Sequence, residues 1–489
     1  MRLLAVFATL LAVAAASGRL MTMQEMNEHR IEAAKRWQTS GSQNVKSGGV
    51  QNITFTNPKA SEFYVDGKSL PLVDFDVGPS WAGLLPISNS PNETRKLFFW
   101  FFPPGPQGSL DDLIFWTNGG PGCSSLAGLL QENGPFTWSW GQAAPTVNQH
   151  SWTNLSSVLW NEDDVAAQLV GFMQQFLEVF AELKGKKLYL SGESYAGMYV
   201  PCESAVIFFE RNSKTNEDIA NYIYENPSRL DLSLQGIWIN DPIISWLVVQ
   251  QEIPALDFVK KHASLFSFDQ TYMDHLDKMA ATCNYTGYMD KYVTYPPKGL
   301  LPLPGDSTDF AQGCDIWTDI WFSALMINPS FNMYRIWDTY PLPWDVLGFL
   351  DMQSPIYYNL TDVKEAIHAP VNTDWFACSP DVFETEDSSL PPAFTVLPNV
   401  IEKSQRTVIV RGLADFRLIA DGDRIAIQKQ TPIANDSFIL DGVGAYGSMH
   451  SERGLTYYEV ALSGHMVPQF APVASFQIMQ YLMGFRDTP

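Results

Sequence analysis

The chain has 489 residues, 46% of them hydrophobic and 17% charged, with 33 Gly and 32 Pro. That balance excludes a mainly disordered, collagen-like or coiled-coil protein and fits a globular one of one to several domains. Thirty-one Lys and Arg against 53 Asp and Glu leave a net charge of −22, which disfavours nucleic acid and anionic membrane surfaces as partners.

Residues 1–18 place one Arg before a short apolar run that ends in Ala14, Ala15 and Ala16. This pattern predicts a signal peptide over 1–16, cleaved after Ala16. The run is short for an anchor, and no later apolar run is long enough to span a bilayer, so no membrane span is expected. A charged, helically spaced stretch (21–39) and a Gly- and Ser-containing one follow, read together as an extension or propeptide over 17–50. Six sequons, at Asn52, Asn92, Asn154, Asn284, Asn359 and Asn435, agree with secretion to the exterior or a vacuole. Five Cys (123, 202, 283, 314 and 378) suggest two disulfides and a spare thiol in an oxidising compartment. No C-x-x-C or H-E-x-x-H spacing occurs, so no metal is expected.

Residues 80–87 and 96–102 read as early, antiparallel strands. Short apolar runs at 112–117, 156–160, 187–191, 234–240, 407–412 and 455–462 suit strands buried on both faces of a parallel sheet. Helical spacing of Val165, Leu169, Phe172, Phe176 and Phe180 predicts a helix over 162–183 with its aromatic stripe in the core. Residues 241–360 lack this rhythm and read as a mainly helical cap. The cap interrupts an α/β core built from 51–240 and 361–489.

Gly192-Glu193-Ser194-Tyr195-Ala196-Gly197 is G-x-S-x-G directly after a strand. Small flanking residues allow a sharp strand–turn–helix that presents the Ser hydroxyl, with helix N–H groups available to an oxyanion. Ser194 then needs a base and an orienting acid, in the order Ser, acid, His. Of seven His, His465 is the best base, because Ser463-Gly464-His465-Met466 follows a strand where parallel sheets place chemistry. Asp415, after the strand at 407–410, is the best acid by the same logic. Asp421 and Asp423 read as solvated or capping residues. Asn118-Gly119-Gly120-Pro121-Gly122 also follows a strand and offers backbone N–H groups close to a substrate oxygen. The G-x-G-x-x-G at 442–447 is followed by a strand, not the helix a dinucleotide site needs, so no cofactor is expected.

W-T-N-G-G-P-G-C-S-S (116–125), G-E-S-Y-A-G-M-Y-V-P (192–201), G-L-A-D-F (412–416) and S-G-H-M-V-P (463–468) together resemble the serine carboxypeptidases, a secreted or vacuolar branch of the α/β-hydrolases. The resemblance covers residues 51–489. It implies an α/β-hydrolase fold, a central mostly parallel sheet flanked by helices, with a mainly helical cap. It also implies removal of C-terminal residues from peptides and proteins through an acyl-enzyme. Carried over, Ser194 is the nucleophile, His465 the base and Asp415 its partner, with Gly120 and Tyr195 N–H groups as the oxyanion hole. Asn118 and Glu193, helped by Gly119 and Glu132, would hold the substrate's terminal carboxylate, and Met466 would line the leaving-residue pocket. The implied disulfides are Cys123–Cys378 and Cys283–Cys314, leaving Cys202 odd. Glu193 facing a carboxylate would need a shared proton, which predicts acidic operation.

Two departures stand out. After Trp160 the family continues with a Pro-Val-Gly-x-Gly-Phe-Ser-type segment, whereas here Asn161-Glu162-Asp163-Asp164 follows at once; residues 425–432 are also shortened. These losses favour one competing reading, a non-catalytic secreted glycoprotein that binds peptides. Another is an acyltransferase or esterase on the same fold, which retention of Asn118 and Glu193 disfavours.

Overall fold

The protein is described from a computed structural model over residues 53–138, 142, 144–161, 166–201, 219–294, 299–306, 308, 310–338, 356–379, 390–428 and 436–489. The signal and extension (1–16 and 17–50), Cys202, Asn52 and Asn435 lie outside the described residues. So do 162–165 and 429–435, which take in 162–164 of the first departure and 429–432 of the second.

Eleven strands form one sheet. In chain order they are β1 (Tyr64–Val65), β2 (Ser80–Pro86), β3 (Lys96–Phe102), β4 (Ser109–Thr117), β5 (Ser156–Asn161), β6 (Lys187–Glu193), β7 (Ser233–Asn240), β8 (Arg406–Gly412), β9 (Asp436–Leu440), β10 (Gly444–Glu452) and β11 (Leu455–Val460). The spatial order is β1-β2-β3-β5-β4-β6-β7-β8-β11-β10-β9. From β5 to β11 every neighbour pair is parallel. β2 and β3 pair antiparallel as expected. This is the α/β-hydrolase architecture, a mixed sheet flanked by helices.

The parallel strands form because their residues are apolar on both faces. Ile114 and Trp116 are fully buried on one face of β4, and Leu113 and Phe115 are as dry on the other. One face carries helix α1 (Ala166–Val179). Phe99, Phe101, Phe172, Phe176 and Phe180 share its core cluster, with Phe176 and Phe180 rings 4.6 Å apart. The predicted stripe is therefore core, although the helix ends at Val179 and Ala181–Leu183 is a 3-10 turn. On the opposite face Trp152 packs edge-on against Trp116 and Trp238, each 5.2 Å away. The sequence reading missed β1, β9 and β10. These outer strands are short or Gly-containing and partly exposed, so the apolar signal is weak.

Between 241 and 360 the described residues carry helices α2 (Ile253–Lys261), α3 (Gln270–Thr282) and α4 (Ile316–Ile327), with shorter turns and no strand. Their apolar cluster includes Leu256, Phe266, Ile320 and Phe331, and it takes in Ala414, Phe416 and Ile419 from the loop after β8. One compact unit, Gly49–Leu440 with Ala445–Pro489, holds all of this; the other, Met1–Gly48 with Asp441–Gly444, is described only at 441–444.

Both expected disulfides are present, Cys123–Cys378 and Cys283–Cys314. The first joins residues 255 positions apart. Beside it Ser124 N donates to Ala377 O and Ser379 N to Gly122 O, each at 2.8 Å. The 119–125 loop is thus fastened to the 375–379 segment. In the chain-entropy limit so long a loop contributes on the order of 5 kcal/mol. A Cys123→Ser/Cys378→Ser double variant is expected to unfold at clearly lower urea concentration, with a slope no shallower than that of the wild type. An unchanged midpoint would contradict this.

Candidate active site

Five neighbouring parallel strands deliver the predicted residues to one edge of the sheet. β4 ends before Asn118, β6 ends at Glu193 before Ser194, β7 ends at Asn240, and the loops after β8 and β11 carry Asp415 and His465. Strand register aligns them, with Thr117 opposite Gly192 and Glu193 opposite Asn240. The carboxyl ends of parallel strands are where open α/β sheets place their ligands.

Ser194 sits at φ 61°, a left-handed conformation unusual for a residue with a Cβ. Its N–H donates to Asn240 O at 3.0 Å and its carbonyl accepts from Ile243 N at 2.8 Å. The turn is therefore fixed on both sides, and Ser194 remains half-buried, not sealed. Ala196–Tyr199 is helical immediately after it, the strand–turn–helix expected of G-x-S-x-G. The small flanking residues are required here. A Cβ on Gly192 would lie 2.5 Å from Thr117 O, and one on Gly197 2.4 Å from Ile243 O.

His465 Nδ1 and Asp415 Oδ2 are 2.7 Å apart, with both residues buried. Leu418 N donates to Asp415 Oδ1 at 3.2 Å. The cap segment at 333–336 holds both loops: Ile336 N donates to Ala414 O at 3.0 Å, Phe416 N to Met333 O at 2.9 Å and His465 N to Tyr334 O at 2.7 Å. Met466 is buried beside the imidazole-bearing residue.

The loop after β4 comes within touching distance of the Ser194 turn. A Cβ on Gly119 would stand 2.3 Å from Tyr195 N and 2.9 Å from Ser194 Cβ, so only glycine permits this approach. Gly120 has φ +116°, again a glycine conformation. The structure thereby gathers Gly119, Gly120, Ser194 and Tyr195.

Glu193, Glu132 and Asn118 form a buried acidic cluster. Asn118 Oδ1 accepts from Trp116 Nε1 at 2.9 Å and Gly128 N at 3.1 Å. Its amide is therefore forced to donate to Glu193 Oε1 at 2.9 Å and to Glu132 Oε1 at 3.3 Å. Burial raises the pKa of Glu132 well above the usual range, and the Glu193 charge raises it further. Burial raises Glu193 too, opposed by the nearby His465 and by the hydrogen bond from Glu132. Two buried carboxyls brought together on one amide favour a proton on one of them.

Sequence reasoning missed two positions. Asn240 Nδ2 donates to Glu193 Oε2 at 3.0 Å and to His465 O at 3.2 Å, so it ties the acidic pair to the imidazole loop. Asp241 follows it, fully buried beside Asp415. Asn240-Asp241-Pro242 reads as a turn; the available signal was its place at the end of a parallel strand. The solvated reading of Asp423 is corrected. Asp423 is fully buried, 3.1 Å from Arg411 Nε, because its helix Ala420–Ala426 packs on the 248–252 turn, where a Cβ on Gly422 would fall 2.4 Å from Gln250 Cα. Asp421 pairs with Arg424 near the surface.

A family model described as serine carboxypeptidase matches residues 73–484. A probable serine carboxypeptidase of Arthroderma benhamiae is 37% identical, over 89% of this chain and 89% of that protein. Serine-type carboxypeptidase F of Aspergillus niger is 35% identical, over 90% of each. Among solved structures, the Saccharomyces cerevisiae prohormone-processing carboxypeptidase Kex1Δp superposes with a TM-score of 0.66 at 21% identity, covering 87% of this chain and 96% of that one. The last likeness bears on the fold. With a matched family model over most of its length and relatives above one-third identity, the chain belongs to the serine carboxypeptidase family.

Proposed function

We propose that this chain removes the C-terminal residue of peptides and proteins, with Ser194, His465 and Asp415 as the reacting set and Asn118, Glu132 and Glu193 as the grip on the substrate's free carboxylate. The observation that carries the reading is the buried Glu132–Glu193 pair joined by the Asn118 amide, with Asn240 tying Glu193 to the His465 carbonyl. A protonated carboxyl pair can donate a hydrogen bond to an anionic chain end, which an ionised pair would repel.

In the reaction, Ser194 Oγ attacks the last peptide carbonyl as His465 Nε2 takes its proton. Asp415 holds the imidazole by Nδ1 and stabilises its charged form. Backbone N–H groups of Gly120 and Tyr195 receive the oxyanion. His465 returns the proton to the departing amine, and the C–N bond breaks, which leaves an acyl-Ser194 ester. Water, deprotonated by His465, attacks that ester. The carboxylic acid leaves and Ser194 regains its proton. Met466 would border the departing residue's side chain.

Secretion, to the medium or a vacuole, is supported by the leader-like residues 1–16 and by the two disulfides. No helix among the described residues is long and apolar enough to cross a membrane. Of the described sequons, Asn92 and Asn284 are exposed and suited to glycan. Asn154 and Asn359 are half-buried, and the Asn359 amide donates to Trp375 O at 2.9 Å while its Oδ1 accepts from Trp375 N at 2.6 Å.

Purified protein is expected to release the last residue of a blocked dipeptide but not to act on the matching C-terminal amide. Ser194→Ala should lose at least about 10³-fold in kcat/KM. Equal turnover of acid and amide would favour an esterase- or acyltransferase-like reading. Fluorophosphonate labelling of Ser194 without turnover would favour a binding role.

Two further outcomes concern the grip. Asn118→Ala should raise KM for the free acid by roughly 10–100-fold and change turnover of a substrate lacking the carboxylate far less. Because the pair's pKa is raised, its proton is present in acid and lost as pH rises. KM for the free acid should therefore climb with pH while KM for a neutral ester stays level. Parallel pH profiles for the two would contradict the assignment. Stability follows the same sign, since the folded pair binds protons that the unfolded chain has released above the ordinary glutamate value of 4.5, so stability falls as pH rises from there.

A further inference from the structure

Behind Asp415 lies a second carboxyl that the mechanism above does not use. Asp241 is fully buried and holds φ 43°, a strained left-handed conformation for a residue with a Cβ. Gly412 N donates to its two oxygens at 3.0 and 3.3 Å. Arg411 Nη1 lies 3.5 Å from its Oδ1. Side-chain atoms of Asp241, Asp415 and His465 lie within 4.8 Å of one another.

The charges facing this group do not balance. Arg411 is the buried cation, and it is shared: Nε sits 3.1 Å from Asp423 Oδ2, while Nη2 donates to Leu418 O at 2.6 Å. Asp423 in turn accepts from Gln250 Nε2 at 2.7 Å. Three carboxyls, from β7, the loop after β8 and the helix Ala420–Ala426, thus meet one guanidinium. The remaining neighbours add no second fully buried guanidinium: Tyr457 from β11 faces Arg411, Tyr334 from the 333–336 segment faces Asp415 and the half-buried Arg417, and the His465 imidazole is held by Asp415 itself. Farther out, Arg424 is engaged by Asp421 and Glu459. Two buried carboxyls with oxygens within 4.8 Å of one another, facing one shared guanidinium, favour a proton on one of the two groups.

We propose that Asp241 is a positioning residue for the reaction, a neutral carboxylic acid that donates its proton to Asp415 and so keeps Asp415 charged and aimed at His465 Nδ1. Burial, reinforced by the Asp415 charge and opposed by Arg411, pushes the Asp241 carboxyl well above the ordinary range. An ionised Asp241 would instead add a negative charge beside His465 and raise the pKa of the imidazolium. The left-handed turn at Asp241 follows Asn240 directly. One dipeptide therefore serves both clusters: Asn240 holds Glu193 and the His465 carbonyl, and Asp241 holds the acid that orients the ring.

The proposal rests on the assignment of Ser194, His465 and Asp415 but not on the substrate. The test is the pH dependence of fluorophosphonate labelling of Ser194 in the full chain, which reads this set without the carboxylate grip. Asp241→Asn can accept from Gly412 N and donate to Asp415 as the acid does. It should label within about threefold of wild type at each pH, with the acid limb unmoved. Asp241→Ala, checked for folding by urea unfolding, should label at least roughly tenfold more slowly. An Asp241→Asn acid limb displaced to lower pH would show that the native group is an anion and overturn the proposal. A folded Asp241→Ala that labels at the wild-type rate would overturn it equally. If Asp241→Ala does not fold, the Asp241→Asn profile decides. Failure of wild-type Ser194 to label would instead remove the reacting-set assignment, and this proposal with it.

Discussion

Buried carboxyls outnumber buried cations at the carboxyl edge of β4, β6, β7, β8 and β11, and most features of the site answer that constraint. Glu132, Glu193, Asp241, Asp415 and Asp423 are all at most 4% exposed, and Arg411 is the one fully buried guanidinium among the described residues. An isolated ionised carboxyl in such surroundings is strongly disfavoured. Each group is therefore given a donor or a proton. Asn118 and Asn240 supply amides to Glu193, Gly412 N serves Asp241, Leu418 N serves Asp415, and Gln250 serves Asp423. Asp423, pushed up to about 7 mainly by burial, shows how incompletely Arg411 offsets the desolvation.

Close packing of the loops sets the geometry within which this network works. A Cβ on Gly412 would fall 2.0 Å from Gly464 O, and one on Gly464 would fall 2.1 Å from Tyr334 O. The acid loop, the imidazole loop and the cap segment at 333–336 are thus stacked in backbone contact, with no room for side chains between them. The Tyr334 ring stands edge-on to His465 at 5.3 Å. Because Ala414 and Phe416 are part of the apolar cluster of the 248–336 helices, that cluster orients the acid. Gly119 plays the matching role on the other side of Ser194.

The fold and the pairing of Asp415 with His465 were legible in the sequence for a simple reason. Parallel strands buried on both faces are short apolar runs, and the residues that do chemistry come directly after them. Ser194, Asp415 and His465 each follow such a run, and the structure brings Asp415 and His465 into contact. The network around them was not legible. Asn240 and Asp241 precede Pro242, which is the signature of an ordinary turn. Arg411 sits inside a strand, where a charge reads as an edge or a solvated face, and Asp423 sits in a helix's first turn, where an acid reads as a cap. Each acquires its role only from partners far along the chain: Asp423 from Gln250, 173 positions away, and Asp241 from Gly412, 171 away. The outer strands escaped notice because alternate exposure and glycine leave little apolar pattern.

Protons, more than cations, are expected to neutralise this edge of the sheet. The most direct measurement is infrared difference spectroscopy of the intact protein near neutral pH, which separates protonated carboxylic acids from carboxylates by their C=O stretch. Protonated-acid bands are expected to persist far above the ordinary carboxylate range, one removed by Glu132→Gln and another by Asp241→Asn. A spectrum containing carboxylate absorption alone, in a folded protein at that pH, would contradict this.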